Sequence, residues 1–307
     1  MSVEPLDLVR PLEGWLAEHE EDLIALRRQL HANPELSGRE VATTELVGER
    51  LRLAGLEPRA LQSGAGLICD LDGRDAALPR LAFRADLDAL AMDDEKDKHY
   101  RSRVPGVAHA CGHDVHTTVV LGTALYLAHR RDELPGSLRF IFQPAEEAVP
   151  GGALLALREG ALEGVRAILG LHCDPQLEAG RISLKSGAIS SAADMAAITL
   201  TGPGGHTARP EATVDMIPLA SHVVAELPGR VAGRAGEPAS VRVGFGMIRA
   251  GEAANVIPTH ANLLASVRTP SVEVWERLPT AFEAALASLL DGTGADNTDK
   301  VNEPDFD

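Results

Sequence analysis

Aromatic residues are scarce in this chain: Phe, Trp and Tyr make up 3 % of its 307 residues. That scarcity excludes a surface built to stack on single-stranded bases or sugar rings. Cysteine is nearly as rare. Cys69, Cys111 and Cys173 form an odd set of three, too few for a disulfide framework and suited to a reducing compartment. Positive charge is short as well, with 29 Lys and Arg against 45 Asp and Glu and a net charge of −16. Such a surface repels phosphate backbones and anionic lipids and tolerates cations. No run reaches the roughly 18–20 uncharged apolar residues of a membrane span; the longest, residues 115–128, carries His116, three threonines and Tyr126. The start is acidic, broken by Pro5 and Pro11, and has no basic region ahead of an apolar stretch. The expectation is a cytoplasmic protein with neither nucleic acid nor membrane as partner.

What is present is an ordinary globular mixture, 45 % apolar and 24 % charged, long enough for two domains. Apolar residues at helical spacing run from Trp15 to Leu30 and stop at Asn33-Pro34; a second set runs from Val41 to Leu53. Strand-like runs follow at 67–69, 81–83, 138–142 and 165–171, with helical patterns at 115–129 and 152–159. This alternation predicts an α/β sandwich with a largely parallel sheet. Beyond Ser190 the pattern changes to strands at 193–200, 241–247 and 261–267. A helix is expected at 214–227, another at 272–290, and a loop at 229–238 from its Gly and Pro content. That order suits a small second domain with one sheet and helices on one face.

Three polar clusters fall where strands give way to loops. In His109-Ala110-Cys111-Gly112-His113-Asp114-Val115-His116, a thiol and an imidazole two residues apart on a glycine-bent turn can converge on one cation. Asp114 would orient a ligand imidazole as an acceptor behind it. The plainer reading is a buried structural cysteine beside surface histidines. Glu146-Glu147 follow the strand at 138–142, so one carboxylate can bind a metal while the other handles protons; alone, the pair also reads as a solvated acidic turn. The third cluster is Gly170-Leu171-His172-Cys173-Asp174. Together Cys111, His113, Glu147 and His172 offer N, O and S donors from three strand ends. A Cys111 nucleophile with His113 as base is the alternative, but two residues on one turn are poorly placed for it and leave the Glu pair without a task. Further on, Gly202-Pro203-Gly204-Gly205-His206 exposes an imidazole among glycines without the lysine or spacing of a phosphate loop.

These stretches, in this order, resemble the amidohydrolase branch of the M20 metallopeptidases, the hippurate, N-acyl-amino-acid and auxin-conjugate hydrolases. The matching stretches are LRRQLHANPELSGRE, FRADLDAL, HACGHDVH, FQPAEE, GLHCDP, GPGGHTARP and NVIPTHANLLASVRT, spread over nearly the whole chain. The resemblance implies a zinc-peptidase-like three-layer α/β catalytic domain with an inserted ferredoxin-like α+β lid that serves dimerisation. The implied division is 1–187 catalytic, 188–292 lid and 293–307 a stub returning to the catalytic domain. It makes Cys111, His113, Glu147 and His172 ligands of a two-metal centre of zinc or manganese, with cobalt and nickel also admitted by such mixed donors. Glu146 becomes the general base, and Asp86 a supporting residue, with Arg84 where other branches place a ligand histidine. His206 is implied to stabilise the oxyanion in a partner subunit's site, and Asn255 and Arg268 to bind substrate. The implied activity is metal-dependent hydrolysis of N-acyl amino acids or similar small amides by a homodimer.

One departure stands out. The family's last ligand is a histidine near the C-terminus, whereas the last histidine here is His260. Val301-Asn302-Glu303-Pro304 resembles the opening of the family's return segment, so truncation after the lid is expected, with a divergent tail or a naturally short form as alternatives. The competing function is accordingly an impaired, dimerising remnant with a binding or regulatory role.

Overall fold

A computed structural model describes residues 9–301, which divide into two compact units at Gly180 and Arg181. In the first unit, α1 (Val9–Ala32) and α2 (Val41–Leu53) precede β1 (Arg59–Ala60), β2 (Leu67–Leu71) and β3 (Arg80–Asp86). Then come α3 (His113–His129), β4 (Leu138–Gln143), α4 (Gly152–Arg158) and β5 (Val165–Gly170). Helix α1 ends where Pro34 disfavours helical backbone at Asn33, whose side-chain amide donates to the Gln29 carbonyl at 2.7 Å.

The strands order as β1-β2-β4-β3-β5. Period-2 alternation divides their side chains between two cores. Phe140 and Phe142 face Leu26, Val47, Leu51, Val120 and Leu121 from the three long helices, while Ile141, Ile68 and Ala82 face Ala156 of α4. Helices on both faces of one sheet make the expected three layers. Each fully buried side chain of this size contributes about 1.5–3 kcal/mol. The sheet is mixed and not largely parallel: β3 runs parallel to β4 and β5, but β2 is antiparallel to β4 and to β1. Residues 72–79 are too few for the crossover that a parallel return needs. β5 closes the sheet with Ile168 and Leu169 about half exposed.

The second unit holds β6 (Ala192–Thr201), β7 (Gly205–His206), α5 (Met216–Arg234), β8 (Arg242–Ala250), β9 (Val256–Ile257) and β10 (His260–Thr269). It continues with α6 (Val272–Trp275), α7 (Leu278–Leu290) and β11 (Asp296–Val301). Its main sheet is antiparallel, ordered β11-β6-β10-β8, and α5 and α7 bury Leu227, Val231, Phe282 and Leu286 in one core with Ile198 and Leu263. Three expectations need correction. The 229–238 loop is helical to Arg234, because burying Val231 and Ala232 outweighs the cost of Pro228 and two glycines. The single helix over 272–290 breaks into α6 and α7, since Pro279 lacks an N–H and fits only a first helical turn. Residues 296–301, placed in the stub, form a fourth strand beside β6; residues 302–307 of that stub lie outside the described residues. No helix among the described residues is long and apolar enough to cross a membrane.

One half-buried ion pair ties the first sheet to the turn after α4. Arg139 donates to both oxygens of Asp70 at 2.7 and 2.9 Å and to the carbonyls of Gly160, Ala161 and Glu163. Burial pushes the Asp70 carboxyl up, but the hydrogen bonds and charge of Arg139, with Arg80 and Arg59, hold it below the usual range. Asp70→Asn should cost about 1–3 kcal/mol, read as a lower urea midpoint with unchanged slope. Because the folded value is depressed, this stabilisation is complete above the unfolded value of about 4 and is lost as pH falls through the folded one. The gap between wild type and variant should therefore close on acidification.

Candidate metal centre

Strands β3, β4 and β5 are mutually parallel, with Asp86 opposite Gln143 and Arg84 opposite Gly170. Their C-terminal ends thus lie along one edge, where open α/β sheets receive ligands. Asp86 closes β3, Glu146 and Glu147 follow β4, and His172 follows β5. Cys111 and His113 arrive from residues 91–112 and the first turn of α3. Gly112, the residue before that helix, has φ +91°, and a Cβ there would stand 3.0 Å from Cys173 Sγ. Only glycine fits both the backbone and the space.

The structure brings together the donors expected in this unit. His113 Nε2 is buried without a hydrogen-bond partner among the described residues. Glu146 Oε2, Glu147 Oε1 and Asp86 Oδ1 each lie 3.8 Å from it. Cys111 Sγ is 3.3 Å from His172 Nε2. Cys111, His113 and Glu147 each offer a donor atom within 4.8 Å of the others. A buried imidazole nitrogen with no partner, facing carboxylates at distances too long for hydrogen bonds and with a thiol close by, fits a cation between them.

Asp88, which the sequence pattern did not single out, orients two of these donors. Its carbonyl accepts His113 Nδ1–H at 2.8 Å, leaving Nε2 as the donor atom. Its Oδ2 accepts the Glu147 amide at 2.9 Å and the Ser37 hydroxyl at 2.7 Å. Burial works against the Asp88 carboxylate, but bonds from His113, Ser37 and the Glu147 and Glu146 amides outweigh it and hold its pKa far below normal. Asp86 does the same for the next strand end. Its Oδ1 takes His116 Nδ1–H at 2.7 Å, and His116 Nε2 accepts the Cys173 amide at 2.8 Å. Asp86, His113 and His116 also form a geometric metal group, but both His116 nitrogens are thereby engaged. Glu40 holds the third segment, accepting the amide of Ala145, whose φ of +49° is the sharp bend that presents Glu146 and Glu147.

Asp114 does not orient a ligand imidazole as expected. It turns to His31 Nδ1 and Arg27 Nε, each at 2.7 Å. Burial also pushes the Cys111 thiol up, helped by Glu147, Glu146 and Asp86, to about 12. A thiol held that high is no nucleophile at neutral pH, whereas a cation displaces its proton. Burial opposes a charged His113 ring, yet Asp88, Asp86 and Glu146 raise its pKa overall, as a site of surplus negative charge should.

The residues expected in the second unit fall at two places. His206 pairs with Val256 in the β7–β9 ladder, and the Thr207 amide bonds to the Asn255 carbonyl at 3.3 Å, so His206 and Asn255 are neighbours. Arg268 is exposed near the far end of β10, opposite Ala193, whereas His260 at the near end is opposite Thr201. At about 3.4 Å per residue, roughly 27 Å of strand separate His260 from Arg268.

Residues 82–297 match the sequence model of peptidase family M20/M25/M40. A Rhodococcus jostii (strain RHA1) protein with the provisional name glutamate–cysteine ligase 2-3 is 41 % identical over 271 residues, 88 % of this chain but 34 % of its own length. The N-acetylcysteine deacetylase of Bacillus subtilis (strain 168) is 38 % identical over 274 residues, covering 89 % of this chain and 72 % of that protein. A Bacillus subtilis dinuclear metal-binding peptidase of the M20 family superposes with a TM-score of 0.79 at 34 % identity, over 93 % of this chain and 74 % of that one. The chain thus spans from a third to three quarters of the length of these relatives, and it belongs to the M20/M25/M40 peptidase family.

Proposed function

We propose that this chain carries the metal centre of an amidohydrolase that cleaves N-acyl amino acids or similar small amides. The observation that carries the reading is the buried, unpartnered His113 Nε2 facing Glu146, Glu147 and Asp86, with Cys111 and His172 beside it. The name of the Bacillus subtilis deacetylase supports an N-acyl amino acid as substrate. The dinuclear centre of the superposed peptidase supports a pair of divalent ions. Cys111, His113, Glu147 and His172 would hold these ions, zinc or manganese by donor type. When bound, such ions lower the pKa of water from 15.7 to about 7 and polarise a carbonyl.

The chain's own residues divide the remaining work. Glu147 is fixed through its amide by Asp88, which suits a ligand. Glu146 is the more open of the pair, its side chain 40 % exposed against 27 %. It is therefore the base that takes a proton from the attacking water and returns it to the leaving amine. His206 would donate to the developing oxyanion, and Asn255 and Arg268 would hold the substrate. Arg268 stands too far along β10 to meet one small substrate together with His206, which favours a homodimer in which two copies contribute.

Glu146→Gln should lower kcat for N-acetyl amino acids by about 10²–10⁴-fold, with metal content by elemental analysis unchanged. A fully active variant, or a zinc- or manganese-loaded wild type that hydrolyses no N-acyl amino acid, would overturn the reading. Asp88→Asn should weaken Zn²⁺ binding by about 10–100-fold, measured by competition with a chelating dye.

A further inference from the structure

Behind the metal centre lies a second buried polar cluster that the proposed chemistry does not use. His31, at the C-terminal end of α1, is fully buried. Its Nδ1 lies 2.7 Å from Asp114 Oδ2 and its Nε2 3.2 Å from Asp94 Oδ2. Each ring nitrogen thus faces a carboxylate, and the ring bridges the two acids.

The two acceptors belong to different segments. Asp114 immediately follows His113 in the first turn of α3. Asp94 sits in residues 91–112, which contain no helix or extended strand and which carry Cys111 next to their end. Asp94 also accepts the Ser102 amide at 2.9 Å and the Lys96 amide at 3.1 Å. Tyr100 meets the His31 ring edge-on at 5.6 Å, and the Arg103 amide bonds to the Ala32 carbonyl at 2.9 Å. Residues 91–112 therefore wrap around the end of α1, with the His31 ring as the post, before delivering Cys111.

We propose that His31 is a positioning residue of the metal centre, setting the distance between Cys111 and His113. One nitrogen holds the segment that carries the thiol, and the other holds the turn that carries the imidazole. An apolar filling of the same space is often neutral or better for stability. What the ring supplies in its place is geometry: two donors on independent segments are kept at the spacing one cation requires. A glutamine cannot replace it, because its short amide does not present two polar atoms at the ring's spacing to two acids on opposite sides. The inference rests on the reading that Cys111 and His113 bind a divalent cation.

The test titrates the metal-free full chain with Co²⁺, whose thiolate charge-transfer absorption reports a cobalt–Cys111 bond directly. In His31→Gln the dissociation constant should rise about tenfold or more, with a weaker thiolate band per bound cobalt. Asp94→Ala releases only the loop side and leaves the ring on Asp114; it should shift both readouts in the same direction and covers the case of a His31 variant that does not fold. Leu227→Ala, in the core of the second unit, lowers stability without touching this cluster and should leave the band unchanged. Cobalt affinity within about twofold of wild type and a full band in soluble His31→Gln or Asp94→Ala would overturn the proposal. A wild type that binds Co²⁺ with no thiolate band would remove the metal reading itself, and this inference with it.

Discussion

A carboxylate taken out of water must be satisfied by donors or surrender its charge. Asp86 and Asp88, both about 1 % exposed, stand at and just beyond the end of β3 under that constraint, and apart from Arg84 the donors that satisfy them come from other segments. Asp86 recruits Arg84 and His116, and through His116 the amide beyond β5. The Asp88 carboxylate recruits Ser37 and the amide of Glu147, while its carbonyl takes His113. The loops that carry the proposed metal donors are held by two acids, one closing a rigid strand and the other two residues beyond it. Precision at the site is thus inherited from the sheet and passed outward by hydrogen bonds.

How far this could be read in advance depended on sequence distance. Cys111, His113, Glu146, Glu147 and His172 stand out because each sits in a short polar cluster, the last three just after an apolar run. Asp88, His116 and Glu40 do not, because their partners are remote: Glu40 meets Ala145 105 positions away, and His116 meets Cys173 57 positions away. Spacing within a motif carries no trace of such pairings. His31 lies in the stretch LRRQLHANPELSGRE but has no apolar or charged periodicity to mark it as anything beyond the end of a helix.

The same contrast runs through the fold. Elements with strong apolar patterns, such as β4 and α3, were plain in the sequence. Gly-Arg-Val-Ala-Gly-Arg reads as a loop by composition, yet Val231 and Ala232 find a core and the helix persists. β11 shows no apolar run at all; Asp-Asn-Thr-Asp-Lys-Val is a strand because its backbone groups pair with β6. Local composition decides where the chain can bend, and tertiary burial decides whether it does.

Gly112 carries one more consequence. The sulfur of Cys173 rests against the place where any other residue would carry a carbon. At that point the turn bearing Cys111 and His113 touches the loop bearing His172, with only hydrogen between them. The bore of the centre is therefore gauged by a missing methyl group. Which ionic radius the proposed centre would accept depends on main-chain contact as much as on donor atoms, and a methyl added there would act as a shim that separates the two jaws.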